Sequence, residues 1–199
     1  MENNNTTQTH VTQKLFTEML RPQTLDQAII VPRIREVLQH GLTTNILLSG
    51  SAGAGKTSLT RILTRGYQVL EINASLENGI DTIRDKVIAF ASQSSLFDGE
   101  EKLKVVVLEE CDGLSSEAWK ALRATIEKYH KTVRFIANCN YIDKVPDPIQ
   151  SRFNVIIIDP LTKEEEEYLF KGYLERIKYI LTKFNIQYTD ETVKSFVRS

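Results

Sequence analysis

Five short apolar runs, rich in β-branched residues, recur between residues 46 and 158, and amphipathic segments separate them. Near-continuous apolar runs predict strands that are buried on both faces. The predicted strands are residues 46–48, 69–72, 105–108, 133–137 and 155–158, and the predicted helices are residues 32–39, 56–65, 80–95 and 116–129. Such alternation is typical of an α/β fold, here a five-stranded parallel sheet flanked by helices, with functional residues at the carboxyl ends of the strands.

The pattern changes at both ends of this region. Residues 1–14 are rich in Asn, Thr and Gln, which predicts a flexible tail. After Pro160 no strand pattern appears, and Thr162 with Glu165 forms a capping-box sequence ahead of a helical stripe. We therefore expect a core over residues 15–160 and the start of a small helical lid domain over residues 161–199.

Composition excludes some classes of protein. Among 199 residues, 25 Lys and Arg nearly balance 26 Asp and Glu, so any contact with DNA must be local rather than made by bulk charge. The spacing of Cys111 and Cys139 fits neither a zinc site nor a disulfide framework, which favours a reducing compartment. No apolar run approaches the roughly 18 residues of a membrane span. We expect a soluble protein of the cytosol or nucleus, without a membrane partner.

One motif carries specific chemistry. Residues 50–57 read GSAGAGKT and match the phosphate-binding pattern G-x-x-x-x-G-K-[ST] between a predicted strand and an amphipathic helix. Glycines let backbone N–H groups turn toward phosphates, and the helix N-terminus adds partial positive charge. Lys56 is expected to reach the terminal phosphates and Thr57 to hold Mg²⁺. A glycine-rich turn without a ligand is the alternative. The residues predicted to bind the nucleotide here are Gly50, Gly53, Ala54, Gly55, Lys56, Thr57 and Ser58.

Two carboxylates follow the third predicted strand. In a parallel sheet Glu109 and Glu110 emerge at the carboxyl edge, beside the phosphate loop. One is expected to hold Mg²⁺ and the other to polarise the water that attacks the γ-phosphate; a solvated acidic strand end is the alternative. The metal carboxylate of P-loop enzymes is usually Asp, so the longer Glu109 predicts slow hydrolysis.

Two more polar residues flank the later strands. Asn140 follows the fourth predicted strand, where an amide either caps a turn or meets a ligand. Arg152 precedes the fifth, where it either forms a surface ion pair or acts as a finger that stabilises transition-state charge in a neighbouring site. The residues alone leave both questions open.

Together these motifs resemble the small-subunit signatures of AAA+ sliding-clamp loaders, the replication factor C family. The resemblance runs from about residue 16 to the C-terminus. The matching segments are Leu20-Arg21-Pro22, Gly53-Ala54-Gly55-Lys56-Thr57, Asn73-Ala74-Ser75, Gly79-Ile80-Asp81, Val107-Leu108-Glu109-Glu110-Cys111-Asp112, Ala121-Leu122-Arg123, Cys139-Asn140 and Pro148-Ile149-Gln150-Ser151-Arg152. Residues 30–32 and 90–99 look closer to the large clamp-loader subunit of T-even-type phages.

The resemblance implies a role for each matching residue. Glu110 would be the catalytic glutamate, and Glu109 would stand at the position of the metal aspartate. Asn140 would position the attacking water, and Arg152 would act in trans, with Phe153 where the family usually has Cys. The adenine and ribose side of the pocket would be lined by Thr17, Glu18, Met19, Leu20 and Ile29.

The family's DNA contacts come from helix N-termini. Asn78, Gly79 and Arg84 are therefore candidates for contacts with primer–template DNA, and an ion pair of Arg84 with Asp81 or Asp85 is the alternative.

The family's sliding clamp is bound at the far end of the same helix. Leu96 and Phe97 would dock into the clamp, or they would close the helix end by a hydrophobic contact.

The expected function is that of an Mg-dependent ATPase subunit, which opens a sliding clamp and loads it on primer–template DNA during replication. The alternatives are a nucleotide switch with weak turnover and another DNA-associated AAA+ ATPase, for branch migration or helicase loading. A P-loop kinase is disfavoured because no second basic substrate pocket is visible.

The family continues with a second arginine sensor and a collar domain, and neither is present before Ser199. We expect a fragment, or a split or truncated gene product, from the cytosol of a bacterium or phage-infected cell or from a nucleus. Without companion subunits, it is expected to be monomeric or weakly associated and to hydrolyse ATP poorly.

Overall fold

The structure is a computed structural model that describes residues 20–93, 103–159 and 161–198. It contains two compact units. The larger unit is Pro32–Leu161, and the smaller unit combines the residues up to Val31 with those from Thr162 onward. The predicted tail of residues 1–14 lies outside the described residues.

The larger unit is built on a five-stranded parallel sheet with the strand order β2-β3-β4-β1-β5. The strands are β1 (Ile46–Ser49), β2 (Gln68–Asn73), β3 (Lys104–Glu109), β4 (Val133–Cys139) and β5 (Asn154–Ile157). Consecutive residues of β1, β3 and β4 are buried, so both faces of the central strands are covered, whereas β2 and β5 are partly exposed edges. The predicted fold class is confirmed.

Helices follow most of these strands. They are α1 (Pro32–Leu38), α2 (Lys56–Leu63), α3 (Ala89–Ser92), α4 (Ser116–Tyr129) and α5 (Asp147–Gln150), with 3₁₀ helices at Cys111–Gly113 and Ile142–Lys144. The segment predicted as a regular helix over residues 80–95 is π-helical from Thr82 to Ile88 and continues into α3. A π-helix turn contains more residues than an α-turn, and apolar spacing over so short a segment does not distinguish the two.

The core lies between the sheet and these helices. Phe135 of β4, Leu108 of β3 and Leu122 of α4 are fully buried in one hydrophobic cluster. The hydroxyl of Ser115 accepts a hydrogen bond from the Ala118 N–H at 3.1 Å and caps the start of α4. Burial of side chains of this size holds the sheet and α4 together, since removing one typically costs about 2–5 kcal/mol.

The smaller unit contains α6 (Lys163–Lys183), α7 (Asp190–Arg198) and a 3₁₀ helix at Leu25–Gln27. The capping box of Thr162 and Glu165 starts α6, as predicted. Lys178 of α6 pairs with Asp190 of α7 at 2.8 Å. None of the helices in the described ranges is long and apolar enough to cross a membrane.

Candidate nucleotide-binding site

The loop between β1 and α2 has a backbone that requires glycine. Gly53 and Gly55 adopt φ of +83° and +89°, in the left-handed region where a side chain is strained. At Gly50, an added Cβ would lie 3.0 Å from Oδ1 of Asp159 and 3.1 Å from Cβ of Ile158. The motif glycines therefore follow from conformation at two positions and from close packing at the third.

The side chain of Lys56, the first residue of α2, turns back and contacts this loop. Its ammonium donates hydrogen bonds to the backbone oxygens of Gly50 at 2.6 Å and Ser51 at 2.8 Å. It also donates to Oδ1 of Asn140 at 2.9 Å. Because β4 is the neighbour of β1, the residue after β4 reaches the phosphate loop. The structure thus brings together two predicted site residues that are 84 positions apart in the chain.

Thr57, the residue after Lys56 in α2, contacts Glu109 at the end of β3. The Thr57 hydroxyl donates to Oε2 of Glu109 at 3.2 Å. Oε1 of Glu109 is buried and has no hydrogen-bond partner among the described residues. A buried carboxylate oxygen without a partner beside a hydroxyl fits Mg²⁺, which prefers oxygen ligands. No cluster of three or more His, Cys, Asp or Glu in the described residues could hold a metal, so water and phosphate would supply the other ligands.

Glu110 leaves the strand in a strained conformation. Its φ of 53° and ψ of 42° lie in the left-handed region, and its backbone oxygen accepts from the Gly113 N–H at 2.9 Å. A non-glycine residue held there costs about 1–3 kcal/mol, and such strain clusters at functional sites. The Glu110 side chain is exposed.

Asp159 is a site residue that sequence reasoning missed. It follows β5, and both carboxylate oxygens accept the Ser51 N–H, at 3.1 and 2.9 Å. The hydrogen bonds from Ser51 hold the pKa of Asp159 below its usual value, so the side chain is ionised at neutral pH. A signal was available, because a polar residue after the last parallel strand lies at the same sheet edge as the phosphate loop.

A sequence profile of the ATPase family associated with various cellular activities (AAA) matches residues 46–161, more than half of the chain. The chain belongs to the AAA family. It is 35% identical over 196 residues to the replication factor C small subunit of Haloarcula marismortui, covering 93% of this chain and 57% of that protein. The same subunit of Sulfurisphaera tokodaii is 36% identical over 193 residues, covering 91% of this chain and 56% of that protein.

Among solved structures, the RuvB Holliday junction branch migration motor of Thermotoga maritima superposes with a TM-score of 0.66. The match covers 89% of this chain and 59% of that chain, at 17% sequence identity, and therefore supports the AAA fold alone. The chain spans a little over half the length of the curated relatives that it matches.

In this AAA chain Arg152 forms an ion pair within its own unit. Its Nε donates to Oε1 of Glu127 at 3.0 Å, and its Nη2 also contacts that oxygen. Its Nη1 contacts the backbone oxygen of Pro148. The Arg152 guanidinium holds the pKa of Glu127 below its usual range. Sequence reasoning missed Glu127, since nothing in its exposed helical position distinguishes it from other charged residues.

The two cysteines of the AAA unit lie against each other. Cys111 and Cys139 are both buried and are not joined by a disulfide. The hydrogen bond with Cys139 and burial raise the pKa of the Cys111 thiol well above its usual value. The spacing of the cysteines in the sequence carries no sign of this contact, which arises because β3 and β4 are neighbours.

The predicted DNA-contacting residues lie apart from the phosphate loop, after the edge strand β2. Asn78 is exposed, and its backbone oxygen accepts from the Ser115 N–H at 3.0 Å. Gly79 is half-buried and Arg84 is exposed. Within the described ranges no ion pair joins Arg84 to Asp81 or Asp85, and the DNA contact of Arg84 stays a prediction.

The remaining predicted residues belong to the smaller unit or lie outside the described ranges, and their roles stay predictions. Leu20 and Ile29 belong to the smaller unit, where the Leu20 backbone oxygen accepts from Nη2 of Arg176 at 3.0 Å. A Cβ added at Gly172 would lie 2.9 Å from Cγ2 of Ile29. Five predicted residues lie outside the described ranges, namely Thr17, Glu18, Met19, Leu96 and Phe97.

Proposed function

We propose that this chain is the nucleotide-hydrolysing part of a sliding-clamp loader, which uses ATP binding and hydrolysis to open a clamp and load it on primer–template DNA during replication. The observation that carries the proposal is the contact of Lys56 and Thr57 with Asn140 and Glu109 at one edge of the sheet. The 35% identity to an archaeal replication factor C small subunit supports clamp loading over other AAA activities.

The residues have separable tasks in ATP hydrolysis. Lys56 exchanges its loop carbonyls for the terminal phosphates, and the loop amides and Ser58 hold the remaining phosphate oxygens. Asn140 orients a water toward the γ-phosphorus, and Glu110 accepts the proton of that water as the bond between the γ-phosphorus and the bridging oxygen breaks. General-base assistance of this kind contributes about 10²–10⁴ in rate.

Thr57 and Glu109 are the residues that would hold Mg²⁺, whose charge neutralises the phosphates when it is bound. Oε2 of Glu109 already accepts a hydrogen bond from the Thr57 hydroxyl at 3.2 Å, so the two oxygens are close enough to bind the same ion. A glutamate carries one more methylene than the usual aspartate, so its carboxylate reaches one bond farther from the strand. We therefore propose slow turnover, and a nucleotide switch with weak turnover is the second candidate function.

Activity in trans is a further part of the proposal. Arg152 would stabilise transition-state charge in a neighbouring subunit, an effect worth about 10³–10⁵ in rate. Companion clamp-loader subunits are needed to accept it, so the chain alone would be monomeric or weakly associated and a poor ATPase. Four other expectations remain predictions. They are the core over residues 15–160, the lid over residues 161–199, the resemblance to the phage-type large subunit, and the bacterial, phage-infected or nuclear location.

Macromolecular contacts complete the proposed assignment. Asn78, Gly79 and Arg84 are proposed to contact DNA phosphates, and the exposed guanidinium of Arg84 is available for such a contact. Leu96 and Phe97 are proposed to bind the sliding clamp. The adenine and ribose contacts are proposed for Thr17, Glu18, Met19, Leu20 and Ile29.

The test is to measure binding and turnover separately on the same variants. Isothermal titration with Mg²⁺ and a non-hydrolysable ATP analogue should release heat with the unaltered chain and none with Lys56→Ala. Glu110→Gln should keep the binding heat and lose phosphate release by at least about 100-fold. A chain that binds no analogue contradicts the proposal, whereas a Glu110→Gln variant with unchanged turnover favours a different catalytic group.

Partner identity needs a separate measurement. Capture of a sliding clamp by the unaltered chain, and loss of capture in a Leu96→Ala and Phe97→Ala double variant, is the expected result. Retained capture by the double variant would place the clamp contact elsewhere.

A further inference from the structure

Asp159 lies where the last strand approaches the phosphate loop. β5 pairs with β1 in parallel, and the Ile158 N–H donates to the backbone oxygen of Ser49 at 2.8 Å. One residue later, the Asp159 carboxylate accepts the Ser51 N–H through both oxygens, at 3.1 and 2.9 Å. The sheet register therefore places the Asp159 carboxylate beside Ser51, the second residue of the loop.

The glycine that opens the motif makes room for this carboxylate. A Cβ at Gly50 would lie 3.0 Å from Oδ1 of Asp159, closer than ordinary van der Waals contact. Any larger residue at Gly50 must displace the Asp159 side chain or the loop. Gly50 and Asp159 thus form one structural arrangement, although they are 109 positions apart, and the phosphate-binding pattern describes only the first of them.

Two side chains hold Ser51 in this structure. Lys56 donates to its backbone oxygen at 2.8 Å, and Asp159 accepts from its backbone N–H. Lys56 has to leave the loop carbonyls in order to reach the terminal phosphates of a bound nucleotide. Asp159 has no such second task, so of these two side chains it is the one that can hold Ser51 in both states.

The bond to Asp159 is suited to that task. An ionised carboxylate makes a backbone hydrogen bond that is roughly twice as strong as a neutral one. The hydrogen bonds from Ser51 keep the pKa of Asp159 low, and Lys56 adds a favourable charge. A carboxylate so close to an anion-binding loop also repels phosphate, so any gain in affinity from Asp159 must come from the hydrogen bonds that shape the loop.

We propose that Asp159 is a positioning residue of the nucleotide site, which holds the Ser51 amide so that the phosphate loop keeps its shape when Lys56 turns to the phosphates. The inference rests on the proposed nucleotide binding. It assigns Asp159 a role in affinity rather than in the chemical step, because the carboxylate touches the loop and not the reacting atoms.

The experiment measures affinity for a non-hydrolysable ATP analogue with Mg²⁺ by calorimetry on the full chain. Asp159→Ala removes both acceptors and should weaken binding about tenfold, which corresponds to about 1.4 kcal/mol. Asp159→Asn keeps one acceptor oxygen and should bind within about threefold of the unaltered chain. Asp159→Ser, whose hydroxyl is too short to reach the Ser51 amide, should behave like Asp159→Ala and serves if that variant folds poorly.

A matched control tests whether loss of any nearby aspartate weakens binding, and the Asn variant separates the hydrogen bond from the charge. Asp143→Ala removes an exposed aspartate from the 3₁₀ helix at Ile142–Lys144 in the same unit and should leave affinity unchanged. Rescue by Asn is the decisive readout, because mere loss of charge would affect Asn and Ala alike. Unchanged affinity in Asp159→Ala and Asp159→Ser, or equal loss in Asp159→Asn, overturns the inference alone. An unaltered chain that binds no analogue overturns the proposed function and this role together.

Discussion

Replacing Thr60 with Val tests the link between the phosphate-loop helix and the sheet. Thr60 lies in α2, one turn after Lys56 and Thr57, and its hydroxyl accepts from Nδ2 of Asn138 at 2.9 Å. Both residues are buried, with 3% and 1% of their surface exposed. Among the described residues, Thr60 is the hydrogen-bond partner of the Asn138 side chain and has no substitute.

The magnitude follows from this geometry. Val has nearly the shape of Thr, so Thr60→Val opens no cavity, and its cost is that of leaving the buried Asn138 amide without a partner. That cost is about 1–3 kcal/mol of unfolding free energy. With a urea m-value of about 2 kcal/mol/M, a loss of 2 kcal/mol lowers the unfolding midpoint by about 1 M.

The assay is urea unfolding of the single and double variants. Removing both polar groups, in Thr60→Val with Asn138→Leu, should recover about 1 kcal/mol relative to Thr60→Val, since two apolar groups need no partner. Thr64→Val is the matched control, because its hydroxyl bonds to the Thr60 backbone oxygen at 2.9 Å at a half-buried position. A midpoint for Thr60→Val equal to that of the unaltered chain, or a double variant weaker than the single one, would refute the reasoning.

Two further outcomes are expected. Shortening Glu109 to Asp should raise Mg-dependent phosphate release several-fold, because the carboxylate retreats to the length usual beside a phosphate loop; slower release in this variant would contradict the explanation given for Glu109. The Asp159 pKa is lowered from 3.8, so its stabilising contribution is present at neutral pH and is lost as the pH falls below about 4 through the lowered value. Urea midpoints at pH 7 and pH 3 should therefore differ less in Asp159→Asn than in the unaltered chain, and an equal difference would count against that contribution.

Several features could be predicted from the sequence because short segments determine them. Positive φ at Gly53 and Gly55 is a local steric demand, and the motif states it directly. The capping box of Thr162 and Glu165 needs only four consecutive residues. Continuous apolar runs likewise identified the central strands, because burial on both faces leaves no polar positions.

Contacts between distant segments depended on the order of the strands. The neighbouring positions of β1, β4 and β5 bring Asn140 to Lys56 and Asp159 to Ser51, and no local pattern states that order. The pairing of Arg152 with Glu127 likewise joins two segments 25 residues apart. The sequence by itself determined which residues can bind phosphate, through backbone sterics and periodicity. Only the tertiary structure decided which side chains hold that loop, because their partners meet only after the strands have paired in this order.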